Sequence, residues 1–361
     1  QFRKEISEID NQDSYLFLGE LYAASGQREK ALEIYEMVDN KLNGKGRIII
    51  QLAYYYLNKE NYEDGVHVIQ YCENKYQAPY SFELAKAYKN MNQSDSAVFY
   101  YQKALKEKNH LNREIEIKFE LTNLFLYNIK NIQQAGLVLN GIEENSLNSN
   151  QRIEFEKLLM VFLLKEGRFS ELQERIRLIQ QSGNPWKINE GDFFYLFGKS
   201  LFYEKKFLNA APYLQKVFSL SPSSTYYNDL IYFHSIIESF KDDLEGLNLF
   251  CEAEWYMESY QISKAIEKYK ELTENRDHNR EIQKIYYHFC DALKNDGQYE
   301  LFVITADYAI SLNPDSFGGL RIAGFLADYK MEIREYQQAY ALYQRILKSS
   351  NGIALKNHVR E

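Results

Sequence analysis

The chain predicts an all-α solenoid of helical hairpins, and three observations lead there. Apolar residues recur at spacings of three and four, the signature of one buried helix face. A pattern of small and aromatic residues repeats at intervals of about 34. Helix breakers are scarce, with 5 Pro and 17 Gly in 361 residues, and the polar breaks between apolar runs are short. Hydrophobic residues make up 45%, enough for a large core, so wholesale disorder is excluded.

The repeat is clearest at the start. Leu18, Gly19 and Tyr22 are followed by Gly26, Ala31, Tyr35 and Val38, then Leu52, Ala53 and Tyr56 by Glu60, Gly65, Ile69 and Cys72. Corresponding positions lie 34 apart, and a third copy, Leu84, Ala85, Tyr88, Ala97, Tyr101 and Ala104, follows after 32. In each, a small residue early in both helices lets the backbones approach, and the aromatic fills the space beside it. One hairpin cannot bury its apolar face alone, so stacked neighbours complete the core. The fourth copy has Thr122 at the small position and one extra residue before Ala135. Leu159 to Ile179 makes a fifth, Phe197, Gly198, Leu201, Ala210, Leu214, Val217 and Pro222 a sixth, and Ala253, Tyr256, Ala265, Tyr269 and Leu272 another. Phe289 to Pro314 and Phe317 to Ile346 close the series.

These residues resemble the tetratricopeptide repeat (TPR), and the resemblance runs over nearly the whole chain. It implies a right-handed α-solenoid of about nine hairpins. An N-terminal array is expected over 12–184 and a C-terminal array, continuous with it, over 191–350, with an extra helix near 225–240 and the start of a capping helix over 351–361. Turn chemistry separates the helical runs at Asn43–Gly46, Glu144–Ser146, Ser182–Pro185 and Ser221–Ser224. The longest break, Gln181 to Asp192, is the candidate flexion point. Pro212 is expected in the first turn of its helix, with Asn209 as the cap.

Several function classes are disfavoured. Lys plus Arg number 43 against 51 Asp plus Glu, a net charge of −8 with both signs interspersed, so a basic nucleic-acid surface is not the expectation. The longest run without a polar residue, Leu158 to Leu164, is far short of the roughly 20 residues of a membrane span. The N-terminus has no apolar signal core and no Met, which fits a processed product or a fragment. Cytoplasmic and bacterial periplasmic locations both stay open. Cys72, Cys251 and Cys290 are too few for a disulfide scaffold; Cys72 reads as a core position and Cys290 as the small position of its repeat.

No phosphate loop, dinucleotide fingerprint or nucleophile elbow is present. Among His67, His110, His234, His278, His288 and His358, the only local cluster is His288 with Cys290 and Asp291. A spacing of two puts His288 and Cys290 on different helix faces, against a metal site. Asp242-Asp243 precedes a helical run and reads as helix N-terminal stabilisation. No catalytic residue, cofactor or metal is expected.

In the family resembled, the first helix of each hairpin lines a concave, peptide-binding surface. That implies partner-binding positions at Tyr54, Asn58, Phe82, Lys86, Lys89, Asn90, Asn123, Tyr127, Tyr195, Lys199, Tyr203, Tyr287 and Lys294. Aromatics offer area at low entropic cost, and amides can satisfy a peptide backbone. The expected function is a non-catalytic scaffold or adaptor binding other proteins or peptide segments. The alternative is a structural subunit of a stable assembly, in a bacterial cell envelope for example; an enzyme ranks third.

Overall fold

The computed structural model describes residues 12–77, 79–107, 113–216, 227–274 and 282–349, and among these every regular element is helical. The expected turn at Ser221–Ser224, with Val217 and Pro222, and the capping segment 351–361 lie outside the described residues, as do His110, His278 and His358. Two compact units are present, one ending at Leu159 and one beginning at Met160.

In the first unit α1 (Gln12–Ala24) pairs with α2 (Arg28–Lys41), and α3 (Ile49–Asn58) with α4 (Tyr62–Tyr76). Next, α5 (Ser81–Asn90) pairs with α6 (Ser94–Ala104), and α7 (Glu114–Asn123) with α8 (Ile132–Asn140). Each second helix packs on the following first helix. The small residues stand where the backbones approach: Ala31, Ala53, Ala85, Ala97 and Ala135 are fully buried, with Tyr35, Tyr56 and Tyr101 wedged beside them. The linker after α2 is tied down by buried Asp39, whose carboxylate accepts from the amides of Gly46 at 2.8 Å and Ile48 at 2.9 Å.

The extra residue of the fourth repeat has a local solution. Leu124–Asn128 form a π-helical turn continuing α7, in which the Ile129 amide reaches the Leu124 carbonyl at 2.9 Å. A single π turn absorbs one inserted residue without shifting the face that packs. Thr122, at the small position, is buried with its hydroxyl donating to the Lys118 carbonyl at 2.8 Å, so its polarity is satisfied within the helix.

Helix α9 (Ser149–Glu166) carries the boundary between the units. The second unit continues with α10 (Phe169–Gln181), α11 (Glu190–Tyr203), α12 (Phe207–Lys216) and α13 (Tyr227–Ser239). After these come α14 (Leu244–Glu258), α15 (Ile262–Glu274), α16 (Ile282–Asn295), α17 (Tyr299–Leu312), α18 (Phe317–Glu332) and α19 (Tyr336–Lys348). The pairs are α11 with α12, α14 with α15, α16 with α17 and α18 with α19. Helix α13 packs on α12, while α11 meets α14 directly. Asp243 caps α14, its carboxylate accepting from the Gly246 amide at 2.9 Å, as its place before a helical run predicts.

One turn recurs through both units. Gly26, Glu60, Asn92, Lys130, Gly167, Lys205, Tyr260, Gly297 and Arg334 all have positive φ, each between the two helices of a hairpin. The amide after each reaches back to a carbonyl near the end of the first helix, at 2.8–3.0 Å, the Schellman closure of a helix C-terminus. These turns mark nine hairpins among the described residues. Six are not glycine, so the left-handed strain of about 1–2 kcal/mol is tolerated for the sake of the closure. Gly167 has a second reason to be glycine, because a Cβ there would stand 2.7 Å from the Trp255 ring.

Pro212 departs from its expected place. Helix α12 starts at Phe207, so Pro212 sits well inside it rather than in the first turn. The amide it lacks would have bonded the carbonyl of Leu208, a residue on the exposed side of the helix.

Candidate functional site

In the first unit the predicted positions divide by exposure. Tyr54 and Asn58 on α3, Lys86 and Asn90 on α5, and Tyr127 in the π turn are exposed, whereas Lys89 and Asn123 are half-buried and Phe82 is buried. The first helices are laced together. Tyr54 donates its hydroxyl to Glu83 at 3.3 Å, Arg113 bonds the same carboxylate at 3.2 Å, and Lys89 pairs with Glu120. Two cations lie over the Phe82 ring, the Lys86 ammonium at 5.5 Å and the Arg113 guanidinium at 4.6 Å from its centroid. Burial, followed by the charge of Glu83, pushes the Tyr54 phenol up to about 12, so it stays a donor at neutral pH. What results is a contiguous first-helix face of aromatic, amide and cationic groups from α3 to α7.

The second unit differs. Tyr195, Lys199 and Tyr203 of α11 are buried, not spread on an open face. They line a cavity of about 350 Å³ together with Lys165, Asp229, Tyr232, Phe233, Glu254, Met257, Glu258 and His288. At its centre both lysines converge on one carboxylate: Lys165 Nζ lies 2.8 Å from Glu258 Oε1, and Lys199 Nζ 2.6 Å from Oε2. Lys165 also donates to the Glu258 carbonyl at 3.1 Å. The Lys199 ammonium faces the rings of Tyr195, Tyr203 and Phe233 at 5.2, 5.7 and 5.8 Å. Glu254, one turn before Glu258, accepts from Tyr269 and lies 3.2 Å from His288 Nδ1. Tyr195 donates to Asp229 at 3.1 Å.

Burial on its own would raise the Glu258 carboxyl, but the charges of Lys199 and Lys165 overcome it and hold the group down at about 2. Lys199 is the mirror case: burial opposes its charge, and Glu258 more than restores it. Burial likewise drives the phenols of Tyr203, Tyr232 and Tyr269 well above their ordinary range. The ionic core is therefore charged and paired.

Tyr287 and Lys294 sit on a third surface, between α16 and α18. The Arg321 guanidinium stacks on the Tyr287 ring at 3.8 Å, and Lys294 pairs with Glu332 at 2.8 Å. Sequence reasoning placed Lys199 on an open face and missed Lys165, Glu258 and their meeting. The available signal was a lone lysine in the apolar run Phe193–Tyr203, and another closing the run Leu158–Leu164.

Cys72, Cys251 and Cys290 are buried, and burial raises all three thiols, Cys72 to about 12. A thiol reagent at pH 8 should label none of them in the folded protein and all three in denaturant; rapid native labelling of any one would contradict its placement. Among the described residues no group of three His, Cys, Asp or Glu is arranged to hold a metal ion, and no helix is long and apolar enough to cross a membrane.

Residues 12–37 and 78–110 match the tetratricopeptide repeat profile, which falls on the hairpins α1/α2 and α5/α6. The chain carries tetratricopeptide repeats at these two segments. A solved tetratricopeptide repeat protein from Parabacteroides merdae is similar to it, at 13% identity over 78% of this chain and 98% of that one, with a TM-score of 0.40. A chain of the Naa15/Naa10 complex bound to HypK-THB shows 16% identity over 95% of this chain, with a TM-score of 0.40. The TPR chain spans 59% of that chain's length. A chain of the APC/C hetero-tetramer Cut9–Hcn1 matches at 13% identity over 95% of this chain and 67% of its own, with a TM-score of 0.34. Likeness at these scores is no guide to function. No curated protein matches the TPR chain in sequence.

Proposed function

We propose that this TPR protein is a non-catalytic interaction scaffold that takes extended or helical partner segments along the first-helix face of its first unit. One observation carries the reading: Tyr54, Asn58, Lys86, Asn90 and Tyr127 stay exposed on successive first helices that Tyr54–Glu83 and Lys89–Glu120 contacts bind into one surface. Such a face offers aromatic area at low entropic cost, amides for a peptide backbone and cations for acidic side chains. Asn123 and Lys89 extend it toward α7. Tyr287 and Lys294 form a second, smaller candidate surface of the same kind.

The test is cross-linking affinity purification from the native cell, followed by affinity measurement on the partners recovered. Lys86→Glu combined with Lys89→Glu should weaken binding about tenfold or more. Melting should shift little, because the Lys89–Glu120 pair is part-exposed and worth under about 1 kcal/mol. Unchanged affinity would discard this face as the site. Partners held at fixed stoichiometry and insensitive to the charge reversal would favour a structural subunit instead.

A further inference from the structure

The cavity of the second unit is not needed by the scaffold reading, and its chemistry points to a small molecule. Its size falls within the range of ligand pockets, at the small end of about 300–1,000 Å³. Its walls alternate rings and polar groups: Tyr195, Tyr203, Tyr232 and Phe233 against Lys199, Glu254 and Asp229. The Tyr232 hydroxyl is buried without a hydrogen-bond partner. A buried hydroxyl left unpaired costs roughly 1–3 kcal/mol, which a ligand oxygen would relieve. Asp229, at the solvent side, is exposed and so marks the mouth.

Charge narrows the ligand class. Lys165 and Lys199 face Glu254, Glu258 and Asp229, one surplus negative charge if His288 is neutral and none if it is protonated. An anion entering would meet three carboxylates, and a cation would meet two ammonium groups already occupying the best carboxylate and the aromatic faces. A neutral molecule with many hydroxyls meets neither penalty. Its hydroxyls can donate to Glu254 and Asp229 and accept from Lys199 and Tyr232, while its C–H faces lie on tyrosine rings. We infer that this cavity binds a neutral polyhydroxylated ligand of the pyranose-sugar class.

Saturation-transfer NMR on the full chain tests this, with glucose, galactose, mannose and N-acetylglucosamine as probes and acetate and methylammonium as charged controls. Transfer to at least one sugar is expected at millimolar concentration. Tyr232→Phe should weaken that binding about fivefold, the worth of one neutral hydrogen bond, without lowering the melting temperature. Glu254→Gln, which keeps the shape but removes the charge, should weaken it as well. Transfer to no sugar, or to acetate or methylammonium alone, would overturn the inference. So would sugar binding that both variants leave unchanged, since it would then lie elsewhere on the protein.

Discussion

Replacing Glu258 by Ala should destabilise the second unit by about 3–5 kcal/mol, the cost of leaving buried charge without its partner. Glu258 is the single carboxylate between Lys165 and Lys199, and both lysines are buried. Removing it takes away the carboxylate that pairs with both buried lysines. Both tryptophans, Trp186 and Trp255, lie in the second unit, so the urea midpoint of tryptophan fluorescence reads the loss directly. A midpoint unchanged by Glu258→Ala would show that the lysines find other partners and that the ionic core is dispensable.

Acid should act on the same group. The folded-state carboxyl sits at about 2, below its ordinary value of 4.5. A depressed carboxyl stabilises the fold above the unfolded pKa and loses that contribution as pH falls through the folded one. Stability from Glu258 is therefore complete above about pH 5 and fades between about 4.5 and 2, by on the order of 3 kcal/mol. In the Glu258→Ala variant this part of the acid transition should be missing. An identical acid profile in variant and parent would assign the sensitivity to other carboxylates.

In the first unit, Gly19→Leu should cost about 1–3 kcal/mol by overpacking, or more where the ring cannot move. A Cβ at Gly19 would stand 2.6 and 2.8 Å from two ring atoms of Tyr35 and 3.4 Å from Ile34 Cγ2. Tyr35 is itself buried in the hairpin seam, so its ring has no open space to swing into. Ala53→Phe is the companion change one repeat on, at a fully buried small position facing Gly65. Circular dichroism across a urea titration should show an earlier transition for both. A parent-like transition for either would mean that its small residue is not at a helix–helix seam, against the repeat alignment.

The hairpins were legible in the primary structure because their causes are local. Gly19, Ala31, Ala53 and Gly65 recur at set intervals, and a helix face is defined by residues three and four apart. The extra residue before Ala135 was visible as a count, and the π turn at Leu124–Asn128 is the way the backbone accommodates it. Pro212 was misplaced because the start of α12 depends on Phe207 finding a buried site, and no capping residue announces it.

Site geometry was less legible. Carrying first-helix positions from one hairpin to the next treats every face alike, yet Tyr54 stays exposed on α3 while Tyr195 and Lys199 are buried on α11. Helix α13 breaks the equivalence, adding Tyr232 and Phe233 to the walls around α11. Primary structure alone determined that this protein is a stack of helical hairpins, where each turns and which small residues let helices touch. Only tertiary structure decided that Lys199 meets a glutamate 59 residues away and Lys165 the same glutamate at a separation of 93. Periodicity is written into neighbouring residues, whereas the fate of a charge is set by whichever distant helix packs over it and excludes the water.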